Sequence, residues 1–294
     1  PEDGNCWRSL LVNTLYCFEN RKATFVDVFR QTAERHGFTV ILQEPSANDP
    51  DFARFRQAYH HLSVNPEGFE LACFHRYFAM RALLPVGNRA IMADSDLFVQ
   101  CAPKDIPAEL IADRQGFVGS IGVNAGVPEE DISPHFSFWT RALLDDFCDF
   151  LIEQYRTGLD RLKAIYARRS AVTDRASISD MTLLYLWVQD RGIAFVNANQ
   201  VLAGQYIDHN VSSPDCANAG FETSFGRKRL LLSADGIRMR TKDGASVNPL
   251  ILHLQGRYKL AAEPLLNRNQ LKLWQGSAYI AAGRIARRAI SRLT

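Results

Sequence analysis

Apolar residues recur with two different periods along the first hundred residues of the chain. At 25–35 and 69–84 they repeat every three to four residues, which predicts helices that bury one side. Short, mostly apolar runs predict strands at 10–15, 38–42, 90–93 and 97–99. Residues 45–52 have the composition of a turn. Strands that alternate with helices at these lengths favour a largely parallel sheet covered by helices.

The second half of the chain has a more varied pattern. Residues 117–126 form a glycine-rich, strand-like stretch, and 138–167 has the spacing of a long helical region. The apolar segment 180–188 predicts a buried helix. Strands are predicted at 229–239 and 245–254, and Asp-Gly pairs in this part of the chain are typical of hairpins or bends.

Composition and charge exclude several function classes. The 294 residues are 47% hydrophobic and 22% charged, which is enough apolar material for a large core. The net charge is +2, and basic residues are not interleaved with aromatic ones, so no nucleic-acid partner is expected. Six scattered cysteines without a CxxC pair fit no zinc site. They predict reduced thiols in a cytoplasmic protein.

No linker or internal repeat divides the chain. We therefore expect one α/β domain over residues 1–265, with a central mixed sheet flanked by helices, and a basic helical tail over 266–294. On a helix, four arginines of this tail share one side: Arg284, Arg287, Arg288 and Arg292. Such a tail either lies peripherally on the inner face of an anionic membrane or packs on the domain with its charges in solvent.

The segment Asp94-Ser95-Asp96 is the sharpest candidate for chemistry. It follows the apolar run 90–93, at the strand end where open α/β sheets bind ligands. On extended backbone, residues two apart point to the same side, so both carboxylates face one way. Such a pair is a hard oxygen site for Mg²⁺ or Mn²⁺, usually shared with a substrate phosphate. The alternative is a simple turn cap, but apolar segments on both sides make unpartnered carboxylates costly.

A second candidate follows the apolar run 249–252. His253, Gly256 and Lys259 occur within one short stretch, HLQGRYK. Imidazole is a reasonable ligand for Mn²⁺, glycine permits close approach of the backbone to a phosphate, and lysine supplies a point charge. Alone, each has an ordinary explanation as a structural histidine or a solvated lysine. Together with the acidic pair, they favour a shared metal and phosphate site.

With these motifs the chain resembles the nucleotide-sugar glycosyltransferases of the GT-A fold, and among them the family-8 type. The resemblance is carried by a helix that begins at Asp180 and by four segments: FHRYFAMRALLP at 74–85, IMADSDLFV at 91–99, VNAG at 123–126 and HxxGxxK at 253–259. It implies a Rossmann-like GT-A sheet and an enzyme of the hexosyltransferase class. The donor would be a UDP- or GDP-sugar, and the acceptor a glycan, a lipid-linked molecule or a protein. Transfer would proceed with retention.

The resemblance also implies roles for single residues. Asp94, Asp96 and His253 would hold Mn²⁺ or Mg²⁺, and Asp96 and Asp180 would serve catalysis. The donor would be bound by Asp94 and by a further set: Asn13, Thr14, Arg76, Ser95, Asn124, Ala125, Gly126, Gly256 and Lys259. Asp180 has three interpretations: a cap of its helix, a partner for a sugar hydroxyl, or the base of an inverting enzyme.

Two other functions compete with this interpretation. A metal-dependent phosphatase of the haloacid dehalogenase type also places DxD after an apolar strand, with the first aspartate as nucleophile. There a Thr or Val typically occupies the position of Phe98. The other alternative is a non-catalytic module that binds nucleotide sugars without turnover, which the sequence leaves open.

Overall fold

The chain forms strands and helices in alternation, and the strands belong to two larger sheets. The structure is a computed structural model that describes residues 12–46, 48–111, 116–122, 131–273, 275–276, 278–280 and 282. The strands are β1 (Thr14–Phe18), β2 (Thr39–Gln43), β3 (Arg89–Ala93), β4 (Leu97–Val99), β5 (Phe117–Ile121), β6 (Ile132–Thr140), β7 (Phe195–Asn197), β8 (Val201–Leu202), β9 (Gln205–Ile207), β10 (Thr223–Ser224), β11 (Arg227–Lys228), β12 (Leu231–Ser233), β13 (Gly236–Arg240) and β14 (Ser246–His253). The helices are α1 (Thr24–Arg35), α2 (Pro50–Ala58), α3 (Glu67–Leu83), α4 (Arg141–Arg156), α5 (Leu159–Ser170), α6 (Asp180–Arg191) and α7 (Ala262–Leu266).

The first sheet has six strands in the order β2-β1-β3-β6-β5-β7. Strand β6 runs opposite to its two neighbours, whereas the pairs β1–β2, β1–β3 and β5–β7 are parallel. Helices α3, α4 and α6 pack on one face of this sheet, and α1 packs on the other. The predicted α/β class, with a mixed sheet flanked by helices, is therefore confirmed.

Aromatic side chains fill the core on the face that α3, α4 and α6 cover. Tyr77, Trp139, Phe147 and Trp187 are fully buried, and their ring centroids lie between 4.8 and 5.9 Å from one another in successive contacts. Burial of one such side chain contributes about 2 kcal/mol, and each well-oriented ring pair adds about 1 kcal/mol. This rigid layer anchors the helices that bring Arg76 and Asp180 to the sheet edge.

The second sheet receives its first strand, β4, directly after β3 of the first sheet. It has the order β12-β13-β14-β9-β8, and β4 pairs with β14 in antiparallel fashion. The chain therefore passes from β3 in the first sheet to β4 in the second through residues 94–96 alone. This crossing determines where the acidic pair lies.

The structure corrects several boundaries. The predicted helical region 138–167 begins with the end of β6 and then divides into α4 and α5, with Gly158 between them. Aromatic residues in β6 are buried on both faces, so their spacing imitates a helix. Thr140 ends the strand, because its Oγ1 accepts a hydrogen bond from the Leu143 amide at 3.2 Å and caps α4.

Three further findings concern turns and strands. Helix α2 starts inside the predicted turn 45–52, where Asp49 caps it. Strand β1 covers 14–18 rather than 10–15, and residues up to 11 lie outside the described ones. Within the predicted stretch 229–239, the hairpin signal Asp235-Gly236 is confirmed: β12 and β13 form a hairpin, and Gly236 has a φ of +136°.

Part of the predicted tail packs against the second sheet. Leu273 and Ile280 are buried in the cluster that also contains Leu265 and Leu252. The four tail arginines lie outside the described residues. Within the described part of the chain, no helix combines the length and the apolar character needed to cross a bilayer.

Candidate active site

Strand pairing brings the two motifs together. Leu97, the first residue of β4, lies opposite His253, the last residue of β14. The Leu254 amide donates to the Asp96 carbonyl at 2.9 Å, which holds the acidic segment beside the end of β14. One carboxylate oxygen from each aspartate and one ring nitrogen of His253 lie within 4.8 Å of one another.

The cluster is buried except on the side of Asp94. His253 Nε2 lies 3.3 Å from Asp96 Oδ1 and 3.8 Å from Asp94 Oδ2. Lys259 Nζ lies 3.1 Å from the other oxygen of Asp96. The Asp94 side chain is 28% exposed, whereas those of Asp96 and His253 are buried. A ligand from solvent therefore reaches the cluster beside Asp94.

Mutual attraction shifts the pKa values of this cluster. Burial alone would raise the pKa of Asp96, but His253 and Lys259 hold it well below its usual range. Burial alone would lower the pKa of His253, but Asp96 and Asp94 raise it to about 9. Without a metal, a protonated His253 and Lys259 therefore balance the two carboxylates.

The donor set fits a divalent cation. His253 Nδ1 lies 2.6 Å from the His209 carbonyl oxygen, which can only accept a hydrogen bond. Nδ1 therefore carries a proton, and Nε2 faces the two carboxylates. A histidine that donates its second N–H to a backbone carbonyl is the usual arrangement at metal sites. Two carboxylates and one imidazole suit Mn²⁺ or Mg²⁺.

Arg76 connects the acidic pair to Asp180. Its Nη1 donates to Asp94 Oδ1 at 2.7 Å, and its Nη2 donates to Asp180. The Tyr77 hydroxyl also donates to Asp180, at 2.7 Å. Asp180 is the first residue of α6. Because its carboxylate binds these two side chains, it does not cap the helix. The structure therefore replaces the helix cap by an ion pair with Arg76, and the two functional interpretations of Asp180 stay predictions.

Glu19 organises the residue between the two aspartates. Its carboxylate accepts hydrogen bonds from Ser95 Oγ at 2.6 Å and from Arg21 Nε at 2.8 Å. Burial alone would raise the pKa of Glu19, but these donors lower it to about 2. Glu19 was not among the residues predicted from the sequence. Its position offered one signal: it directly follows β1, which is parallel to β3 and ends beside the strand end that Asp94 follows.

The structure does not bring all predicted donor residues to this cluster. Asn13 and Thr14 lie at the beginning of β1, about 16 and 13 Å along the strand direction from the level of Asp94. The structure therefore places both residues toward the end of β1 that is away from the cluster. Their role in donor binding stays a prediction. Three predicted residues lie outside the described ones: Asn124, Ala125 and Gly126.

Gly256 begins the turn that returns Lys259 to Asp96. Its φ is +63°, a conformation that favours glycine, and it opens the 3₁₀ helix Gly256–Ala261. The Lys259 ammonium lies 4.5 Å from the centre of the Phe25 ring, which orients it further.

Two histidines behind the cluster were not assigned to it from the sequence. The His135 ring stacks on that of His253, with centroids 4.6 Å apart and planes 10° apart. Burial lowers the pKa of His209 to about 3 and that of His135 well below its usual range. Among the described residues, His135 Nε2 and His209 Nδ1 have no hydrogen-bond partner. Both rings are therefore neutral; that of His135 supports His253 by stacking on it, and that of His209 packs against His135.

Three solved structures are similar to this chain, and each is a glycosyltransferase. Mouse xyloside xylosyltransferase 1, in its apo form, is 11% identical over 66% of this chain and 87% of that chain, with a TM-score of 0.45. A glycosyltransferase involved in glycosylation of the major capsid of PBCV-1 is 15% identical over 55% and 78%, with a TM-score of 0.30. The PaToxG glycosyltransferase is 9% identical over 62% and 70%, with a TM-score of 0.36.

No family model matches the chain, and no curated protein matches it. Similarity at this level carries no argument about the reaction.

Proposed function

We propose that this chain is a metal-dependent glycosyltransferase of the GT-A type. It transfers a sugar from a nucleoside-diphosphate sugar to a hydroxyl of a glycan, a lipid-linked molecule or a protein, with retention. The juxtaposition of Asp94, Asp96, His253 and Lys259 carries this proposal. Such a set of ligands and a neighbouring ammonium suit a divalent cation bound beside a phosphate.

The reaction makes one clear demand on the site. As the glycosidic C–O bond breaks, negative charge grows on the β-phosphate of the leaving nucleoside diphosphate. Asp94, Asp96 and His253 would hold a divalent cation, which would supply Lewis-acid neutralisation of that charge. Lys259 is oriented by Asp96 and Phe25 and donates to the same phosphate.

Arg76 and Asp180 lie beside the proposed cation ligands and serve the sugar. Arg76 binds Asp94 and Asp180 at once, so one guanidinium sets the orientation of both carboxylates. Asp180 holds a hydroxyl of the transferred sugar or of the acceptor. A retaining reaction requires no separate base. The Asp180 carboxylate, which is already paired with Arg76, therefore need not act as one.

Nucleotide-sugar binding tests the proposed function. The melting temperature of the full chain is measured with a panel of UDP- and GDP-sugars, each with and without Mn²⁺. One donor is expected to raise the melting temperature only when Mn²⁺ is present. Release of free nucleoside diphosphate from that donor then separates an enzyme from a binding module. Hydrolysis of simple phosphate esters, with no preference for a nucleoside, would favour the phosphatase instead.

Replacement of Asp180 by asparagine separates a role in sugar transfer from a role in nucleotide binding. We expect transfer to slow about a hundredfold, because the carboxylate that orients a reacting hydroxyl is lost. Affinity for UDP or GDP with Mn²⁺ is expected to stay nearly unchanged, since Asp180 is not among the cation ligands. Initial rates and titration calorimetry measure the two quantities. Asp190→Asn, at the other end of α6, is the control. Equal losses of rate and nucleotide affinity would contradict the assignment.

Mn²⁺ affinity is expected to depend on pH with a defined sign. The pKa of His253 is about 9 in the metal-free protein, so its ring is protonated at pH 7. A metal needs neutral Nε2 and therefore displaces one proton. Below this pKa, apparent Mn²⁺ affinity rises about tenfold for each pH unit.

Titration calorimetry in buffers of different ionisation enthalpy measures the displaced proton at pH 7.5. His253→Ala is expected to abolish the proton release, whereas replacement of exposed His60 by glutamine leaves it unchanged. Mn²⁺ affinity that stays constant between pH 6 and 8 would show that His253 is not a ligand.

A further inference from the structure

One short segment holds His253 on three sides. The backbone amide of His253 donates to Asp208 Oδ2 at 3.2 Å, and its carbonyl accepts from the Val211 amide at 3.1 Å. Its Nδ1 donates to the His209 carbonyl at 2.6 Å. Segment 208–211, which follows β9, thus binds three of the four polar groups of His253. The fourth, Nε2, faces the acidic pair.

A buried lysine holds this segment in turn. Lys228 is fully buried, and its Nζ donates to Asp208 Oδ1 at 2.6 Å, to the Asn210 carbonyl at 3.0 Å and to the Tyr206 hydroxyl at 3.1 Å. These three bonds use all three ammonium protons. The ammonium also lies 5.1 Å from the centres of the Tyr206 and Phe221 rings.

Such an ion pair is not explained by stability alone. Both side chains have no exposure to solvent, and the cost of removing two charges from water offsets much of their attraction. Lys228 bonds to residues 208 and 210, on either side of the carbonyl that holds the imidazole. Its position therefore points to a role in orientation.

We propose that Lys228 and Asp208 are positioning residues that orient the His253 imidazole toward the divalent cation. The inference rests on the metal site of the proposed function. Neither side chain is a cation ligand; Lys228 holds Asp208 and Asn210, and the intervening His209 carbonyl holds Nδ1. Without Lys228 the His209 carbonyl is free to rotate, and Nε2 of His253 is no longer held toward the cation. The loss of a group that orients a metal-binding histidine typically weakens metal binding roughly 10- to 100-fold.

The test measures Mn²⁺ dissociation constants of the full chain by electron paramagnetic resonance. Lys228→Met is expected to weaken Mn²⁺ binding roughly 10- to 100-fold. Lys242→Met is the matched control, because Lys242 forms an exposed pair with Asp215 at 2.8 Å, and Mn²⁺ binding should not change. The double variant Lys228→Met/Asp208→Asn removes both buried charges and replaces the single variant if that one fails to fold. The Mn²⁺ affinity of this double variant is expected to fall by a similar factor.

A double-mutant cycle with His253→Ala separates positioning from general loosening of the fold. If Lys228 acts through His253, Lys228→Met has no further effect on Mn²⁺ binding once His253 is alanine. Independent, additive losses would overturn the proposal. So would wild-type Mn²⁺ affinity in a folded Lys228→Met protein.

A measurement without metal keeps the two proposals distinguishable. In ¹⁵N-histidine NMR of the metal-free wild-type chain, the Nδ1 proton of His253 is expected as a slowly exchanging resonance that His253→Ala removes. It should exchange rapidly in Lys228→Met. Failure to observe it in the wild type would overturn the positioning role. Failure of the wild type to bind Mn²⁺, with this resonance present, would instead count against the proposed function.

Discussion

Replacement of Asp96 by asparagine is expected to slow sugar transfer about a thousandfold. The change removes one negative cation ligand. It also leaves His253 and Lys259, which lie 3.3 and 3.1 Å from the Asp96 oxygens, facing a neutral amide. The site loses one negative ligand, and the Lys259 ammonium, left without its carboxylate, repels a divalent ion, so Mn²⁺ binding weakens together with the rate. The initial rate of nucleoside diphosphate release at saturating donor and Mn²⁺ measures the loss.

The control for this variant is Asp145→Asn. Asp145 forms an exposed pair with Arg141 on α4, and its replacement should leave the rate within about twofold. A rate for Asp96→Asn within tenfold of wild type, with unchanged Mn²⁺ affinity, would remove Asp96 from the proposed set of ligands.

The Arg76→Met variant is expected to lose about 3–5 kcal/mol of unfolding free energy. The Asp180 side chain is 4% exposed, and without the guanidinium the Tyr77 hydroxyl is the one side-chain partner it keeps among the residues that the structure describes. An uncompensated buried carboxylate is costly, whereas a buried amide needs only hydrogen bonds. The double variant Arg76→Met/Asp180→Asn should therefore recover most of the loss. Urea unfolding of the metal-free protein at pH 7 measures all three variants.

Arg141→Met provides the comparison, because its i,i+4 pair with Asp145 is partly exposed and should contribute less than about 1 kcal/mol. If Asp180→Asn gave no recovery in the Arg76→Met background, the cost would come from lost packing around α3. The buried charge would then not be its cause.

Local pattern predicted three of the helices and the strands β2, β3 and β4 well. Helices α1, α3 and α6 lie close to their predicted bounds, because their apolar residues recur over several turns. The last three residues of β6, 138–140, were assigned to a helix, since residues buried on both faces show no alternation between apolar and polar positions. Strand β1 was placed several residues too early, because it begins at Thr14 and continues to Phe18.

Long-range contacts decided against one of the three alternatives that the sequence left open at Asp180, the helix cap. The sequence allowed a helix cap, a hydroxyl partner or a base. An ion pair with Arg76, 104 positions earlier, shows that the carboxylate faces the cluster instead of the helix backbone. No local spacing contains this information, because it depends on how α3 and α6 pack on one sheet.

By itself, the sequence determined which chemical groups were available: an acidic pair at a strand end and an imidazole, a glycine and a lysine on one short stretch. Side-chain type and spacing along one strand or turn are local properties, so both motifs were visible without coordinates. Only the tertiary structure decided that Glu19 holds Ser95 and that Lys228 and Asp208 hold the segment around His253. Those contacts join strands and loops distant along the chain, and their register is set by the packing of whole sheets.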